Sequence, residues 1–323
     1  MAATLAIDES TDLTALTFRA LRDTFFDKNG KAVSYALADK KYVQGDPFDE
    51  FVREEVRKRV PKCVEVSKSV DKNGKLKPLT SPDLLVFAPS LCDGVSRASL
   101  CNDLSRIVGL EVKKFEVEDH ETKKRIRKPP RGSGMDFNST PPCGTITVYD
   151  LTEHPFQVRG FYLFVTQSQI GENQYKIINL LLCDGNLLNE DFEFYSSIVG
   201  TRSKKIGLGT YGDGLDRVRP MLVFPNPLRV AELITKPTLV TTASGLEAGG
   251  LSFVGRLHRT VVRAPAAEAS STQVNSRIFN CYRTKEDTGS EPPFTLADPF
   301  NRAKSSEKTA PRGRFKVNVR LAD

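Results

Sequence analysis

The sequence predicts an α/β fold: a central mixed sheet flanked by helices, elaborated by further β structure. Three observations lead there. The first 60 residues carry two amphipathic helical stripes. Two apolar, β-prone runs, Leu84-Leu85-Val86-Phe87 and Leu110-Glu111-Val112-Lys113-Lys114-Phe115, each have an acid at or within them. From Gly144 onward, short β-prone runs and turn signals dominate over helical periodicity.

Residues 12–26 form a helix, with Leu13, Leu16, Ala20 and Leu21 on one face. A second helix starts at Asp46-Pro47, a capping acid followed by proline in the first helical position, and Pro61 ends it. Residues 63–67 read as a strand, and Asp71-Lys72-Asn73-Gly74 as a turn. Ser81-Pro82-Asp83 leads into the next strand, residues 96–108 into a helix, and Gly109 into the strand that carries Glu111. Further strands are expected at 145–149, 160–165 and 175–182, the last two joined by a hairpin at Gly171-Glu172-Asn173. Strands at 221–224, 257–262 and 315–321 complete the set, while the Pro- and Ser-rich stretches 264–272 and 291–311 read as surface connections. The chain divides into a core over 1–225 and a β-rich extension over 226–323, either separate or part of the same domain.

Side chains of a strand alternate between faces, so Glu111 and Lys113 share one face while Leu110 and Val112 share the other. If the two acidic strands are neighbours, Asp83 and Glu111 meet beside the Lys113 ammonium. Two carboxylates at one point repel unless a cation separates them. Hard oxygen ligands suit Mg²⁺ better than Zn²⁺. The alternative is an edge strand whose exposed face holds an ordinary ion pair. The triplets Asp39-Lys40-Lys41 and Glu121-Thr122-Lys123 repeat the acid-x-Lys pattern but lie in charged surroundings.

The chain has 323 residues, a formal charge of +7 and an isoelectric point near 9.0, which fits a polyanionic partner without requiring one. Runs of apolar residues are too short to span a membrane, and the first residues lack a secretory pattern. A cytoplasmic location is expected. The six cysteines show no paired C-x-x-C and read as small buried hydrophobes; the three histidines show no ligand spacing.

The order helix, strand, turn, Pro-Asp strand and Glu-x-Lys strand resembles the PD-(D/E)xK nuclease superfamily. Two later segments, Arg131 to Gly144 and Ser197 to Gly214, look like stretches of type II restriction endonucleases. The likeness spans about residues 46–225. It implies Asp83 and Glu111 as Mg²⁺ ligands, with the Val112 carbonyl a candidate third. Lys113 would then orient and activate the attacking water. Glu50 or Glu54 on the second helix is a candidate supporting acid, although ion pairing with Arg53 and Arg57 is the simpler role for both. The resemblance further implies double-stranded DNA as substrate, a homodimer matching a palindromic site, and a companion DNA methyltransferase.

Two basic segments are candidates for DNA contact. One holds Lys123, Lys124, Arg125, Arg127, Lys128 and Arg131 in a loop after the Glu111 strand. The other, a glycine-rich stretch, holds Arg202, Lys204, Lys205 and Arg217. Its Gly207-x-Gly209-x-x-Gly212 is followed by a proline-broken, strand-like run, which excludes a dinucleotide fold. Asp136 and Asn138 are turn residues or orienting groups. A non-catalytic nucleic-acid-binding protein of viral or phage type, or a repair nuclease on the same core, would share much of this pattern.

Overall fold

The computed structural model describes residues 12–43, 46–60, 69–70, 76–77, 82–87, 107–120, 123–126, 144–149, 155–188, 236–263, 273–288 and 315–321. It is a mixed α/β fold with few helices and one large mixed sheet.

Helix α1 (Leu13–Phe25) starts where the Asp12 carboxylate accepts the Thr14 and Ala15 amides at 2.8 and 3.0 Å. The expected stripe is too narrow a description, because Thr14, Ala15, Thr17 and Phe18 are buried as well. The helix sits inside the fold, packed against α2 and the sheet. Helix α2 (Pro47–Arg59) begins at the Asp46 cap, with Asp46 Oδ1 accepting the Phe48 amide at 2.8 Å. Phe48, Val52 and Val56 form its buried stripe.

The strands are β1 (Ser34–Ala36), β2 (Ser69–Val70), β3 (Leu76–Lys77), β4 (Leu84–Phe87), β5 (Ile107–His120), β6 (Lys123–Ile126) and β7 (Thr145–Tyr149). They continue as β8 (Pro155–Gly171), β9 (Gln174–Asp184), β10 (Thr238–Thr241), β11 (Leu251–Arg263), β12 (Gln273–Thr284) and β13 (Phe315–Leu321). β2 and β3 form a small hairpin; the rest form one sheet in the order β13-β11-β12-β10-β9-β8-β5-β4, with β1, β6 and β7 attached to β9, β5 and β8. The β8–β9 hairpin turns at the expected place, where Asn173 adopts a left-handed φ of 53°.

Two pairings are parallel, β5 with β8 and β9 with β10. The sheet is therefore continuous from the Glu111 strand into residues 238–241 and onward through β12 to β11. Arg159 reinforces the β8–β9–β10 junction, donating from Nη2 to Asp184 Oδ2 at 3.2 Å and to Thr241 Oγ1 at 2.7 Å. At the far end, Arg22 of α1 reaches Asp287, just after β12, with Nε 2.8 Å from Oδ2; both side chains are buried.

Leu84, Val86, Leu110, Val112, Phe161 and Leu163 pack beneath α1 and α2. On the other face Leu85, Tyr162, Phe164, Leu181 and Val240 are buried too. Burial on both faces explains why these strands read as continuous apolar runs rather than clean alternations.

Some expectations change. Ile107 and Val108, expected to end a helix, begin β5. The basic stretch expected as a loop from 120 to 131 begins as a hairpin, with β6 pairing back on β5. Its register sets Arg125 opposite Glu118 and Lys124 opposite Asp119. Strands β1, β2, β3, β10 and β12 have no counterpart among the expected elements. The expected strands at 63–67 and 221–224, the turn at 71–74, the helix residues 96–106 and the connections at 264–272 and 291–311 lie outside the described residues.

Candidate active site

Strands β4 and β5 are antiparallel neighbours, with Leu84 opposite Leu110 and Phe87 opposite Ile107. Extending that register by one residue sets Asp83 opposite Glu111. Asp83 lies just ahead of β4, beyond the last ladder pair, and its side chain does there what a strand would do. Asp83 Oδ2 accepts the Val112 amide at 2.7 Å. A strand residue projects its N–H and C=O toward the same edge, so the Val112 carbonyl faces that edge as well.

β5 is open here. Val108 pairs with both Val86 and Arg159, and Val117 pairs with both Ile126 and Ser168. β4 and β6 therefore lie on the same edge of β5, opposite β8. Between them, among the described residues, no strand covers residues 111–116 on that edge. A gap of six residues spans roughly 20 Å.

Glu111 is 4% exposed, and its Oε1 accepts from Lys113 Nζ at 2.7 Å. The Lys113 ammonium is held above its ordinary range: burial alone would lower it, but the charges of Glu111 and Asp83 outweigh that. It stays protonated. The Asp83 carboxyl is pushed well up, first by burial, then by the charge of Glu111 and then by that of Asp49; Lys113 and the Val112 amide only partly offset this.

Asp49 is the residue that sequence reasoning missed. Burial, then the charge of Asp46, raise its carboxyl to about 7, with Glu111 adding to the rise and Lys113 and Lys114 opposing it. Glu50 and Glu54, the expected supporting acids, instead pair with Arg53 and Arg57 at 2.6 and 2.8 Å on α2's own surface. A helical wheel carried the signal. With Phe48, Val52 and Val56 facing inward, position 49 flanks the buried stripe, whereas 50 and 54 point away from it.

The structure thus brings Asp83, Glu111, Val112 and Lys113 together and adds Asp49. It does not add the basic segments to the described site. Lys123, Lys124 and Arg125 lie on β6, past the open stretch of β5. Arg127, Lys128, Arg131, Arg202, Lys204, Lys205 and Arg217, with Asp136 and Asn138, lie outside the described residues.

Among the described residues, no three His, Cys, Asp or Glu side chains gather closely enough to cage a metal ion by themselves. Mg²⁺ does not need such a cage, because it is commonly held by one or two carboxylates together with waters and substrate phosphate oxygens. The chemistry of this donor set fits that mode. Asp83 and Glu111 are hard, mutually repelling oxygen ligands, and the repulsion that raises Asp83 is what a divalent cation would relieve.

The two described cysteines, Cys183 and Cys281, are buried and unbridged, and burial pushes both thiols upward. No helix among the described residues is long and apolar enough to cross a membrane. Comparison of the chain with family models, curated proteins and solved structures finds no match. Only the chain's own residues therefore point to its function.

Proposed function

We propose that this chain is a Mg²⁺-dependent endonuclease of the type II restriction class, built on a PD-(D/E)xK-type core and hydrolysing phosphodiester bonds of double-stranded DNA. One observation carries the reading: Asp83, just ahead of β4, accepts the Val112 amide of the neighbouring strand at 2.7 Å, beside Glu111, whose carboxylate lies 2.7 Å from the Lys113 ammonium.

In this reading Asp83 and Glu111, with the Val112 carbonyl on the same edge, hold the ion. Bound Mg²⁺ would supply Lewis acidity toward the phosphate and lower the pKa of a bound water. Lys113 orients the attacking water and stabilises charge building on the phosphate, a role that needs the protonated ammonium the acids enforce. Water attacks phosphorus and the 3′-oxygen leaves, giving a 5′-phosphate and a 3′-hydroxyl. The edge of β5 over residues 111–116, which no described strand covers, is where a DNA backbone would approach. The basic segments supply phosphate contacts, a homodimer matches a palindromic site, and a methyltransferase protects host DNA; these belong to the same proposal.

The test is incubation with plasmid and phage DNA, with and without Mg²⁺, followed by mapping of fragment ends. Discrete fragments with 5′-phosphates support the proposal. Smearing would point to a repair nuclease, and intact but shifted DNA to a binding protein. Lys113→Ala should cut at least about a hundredfold more slowly, several kcal/mol in the barrier, while still binding DNA. Undiminished cleavage by that variant would remove the site assignment.

A further inference from the structure

Asp83 lies beyond the last ladder pair of β4, so the ladder does not fix its position. Helix α2 approaches it and the facing stretch of β5 at two points. Lys114 follows Lys113 in β5, and the alternation of strand side chains turns it to the opposite face, toward α2. Its Nζ lies 3.0 Å from both carboxylate oxygens of Asp46, the residue that caps α2, and 5.7 Å from the centre of the Phe48 ring. Nearly two turns further along α2, Arg53 donates from Nε to the Asp83 carbonyl at 3.4 Å, while its Nη1 bonds Glu50 at 2.6 Å.

We propose that Lys114 and Arg53 are positioning residues for the Asp83–Glu111–Lys113 site, together clamping α2 across the start of β4 and the middle of β5. Lys114 fastens the start of the helix to β5, and Arg53 fastens the same helix to the backbone of Asp83. Asp49 lies between Asp46 and Arg53 on α2, so the clamp also determines how closely its charge approaches the other acids. The proposal rests on reading those three residues as the reacting centre.

The contact between Lys114 and Asp46 is partly exposed, and ion pairs of that kind contribute little to folding. Its effect should therefore appear in alignment rather than stability. Misplacing a reacting group by about 1 Å can cost up to roughly a hundredfold in rate.

Four variants of the full chain test this: Lys114→Met, Arg53→Met, Asp46→Asn and Lys114→Arg. Asparagine caps a helix about as well as aspartate, so Asp46→Asn removes the charge of the clamp and spares the cap. Two readouts are needed. The first is kcat and KM for DNA cleavage with Mg²⁺. The second is amide hydrogen exchange at Val112 in metal-free protein, because that amide is held by the Asp83 carboxylate.

For Lys114→Met, Arg53→Met and Asp46→Asn, kcat should fall about tenfold or more with KM within about threefold. Val112 exchange should rise about tenfold while α1 amides keep their protection. Lys114→Arg should recover most of both. Wild-type kcat and wild-type Val112 protection in Lys114→Met and Asp46→Asn would overturn the proposal. So would exchange that rises equally in α1, which marks general destabilisation. A wild-type chain that cuts no DNA would defeat the nuclease reading instead, and Val112 exchange would still judge the clamp.

Discussion

Replacing Asp49 by asparagine should make the metal-free protein more stable at pH 8, with only about a third of that gain at pH 5. An unfolded aspartate gives up its proton near pH 3.9, about its ordinary value. In the folded chain Asp49 holds its proton up to about 7. Between those limits the folded state binds more protons than the unfolded state, so stability falls as pH rises. The penalty is absent below about pH 4 and complete above about pH 7. A shift of roughly three units at 1.36 kcal/mol each sets a ceiling of about 4 kcal/mol. Burial leads among its causes, ahead of the charge of Asp46, and the Asp49 side chain is only partly buried, so solvent screens part of that shift. The measurable gain at pH 8 is therefore on the order of 1–3 kcal/mol. For a chain of this size that is a rise in Tm of roughly 1–5 °C. Thermal or urea unfolding in chelator, at pH 5 and pH 8, with wild type beside Asp49→Asn, measures it. An Asp49→Asn chain that is less stable at pH 8, or whose advantage is the same at both pH values, refutes the reasoning.

Other parts of the fold carry their own expected outcomes. Asp287→Ala leaves the buried Arg22 guanidinium without its carboxylate, and loss of such a partner costs about 3–5 kcal/mol in denaturant unfolding. Gly30→Ala should destabilise by about 1–3 kcal/mol: φ there is +71°, and an added Cβ would lie 2.6 Å from Asp287 Oδ1. Cys183 and Cys281 should resist an aromatic disulfide reagent in the native protein and react once urea unfolds it. Labelling of either thiol in native buffer would contradict its burial.

The parts of the fold legible in the sequence are those with local causes. Asp12 and Asp46 announce helix starts because a short carboxylate can bond the amides two or three residues on. The apolar, β-prone runs at 84–87 and 110–115 announce strands, whereas their adjacency, conditional in the sequence, is supplied by the pairing of β4 with β5. What stays hidden depends on distant partners. β12 reads poorly because Ser276, Arg277 and Asn280 interrupt its apolar residues, yet it pairs along almost all of β11. Thr238–Thr241 is too short to stand out until its parallel partner in β9 is known. The basic stretch after β5 reads as a loop from its charge alone, whereas its first residues are placed by backbone pairing. Asp49 is masked by the longer glutamates beside it, which reach neighbouring arginines on their own helix.

The bond between Arg22 and Asp287 joins residues 265 positions apart. A chain growing from its amino end makes α1 early, but the buried carboxylate that Arg22 reaches is synthesised far later. Until then the guanidinium has beside it only the half-exposed Asp23 of its own helix, at 3.3 Å, and burying it without Asp287 is costly. A nascent chain would make this contact only after Asp287 has emerged.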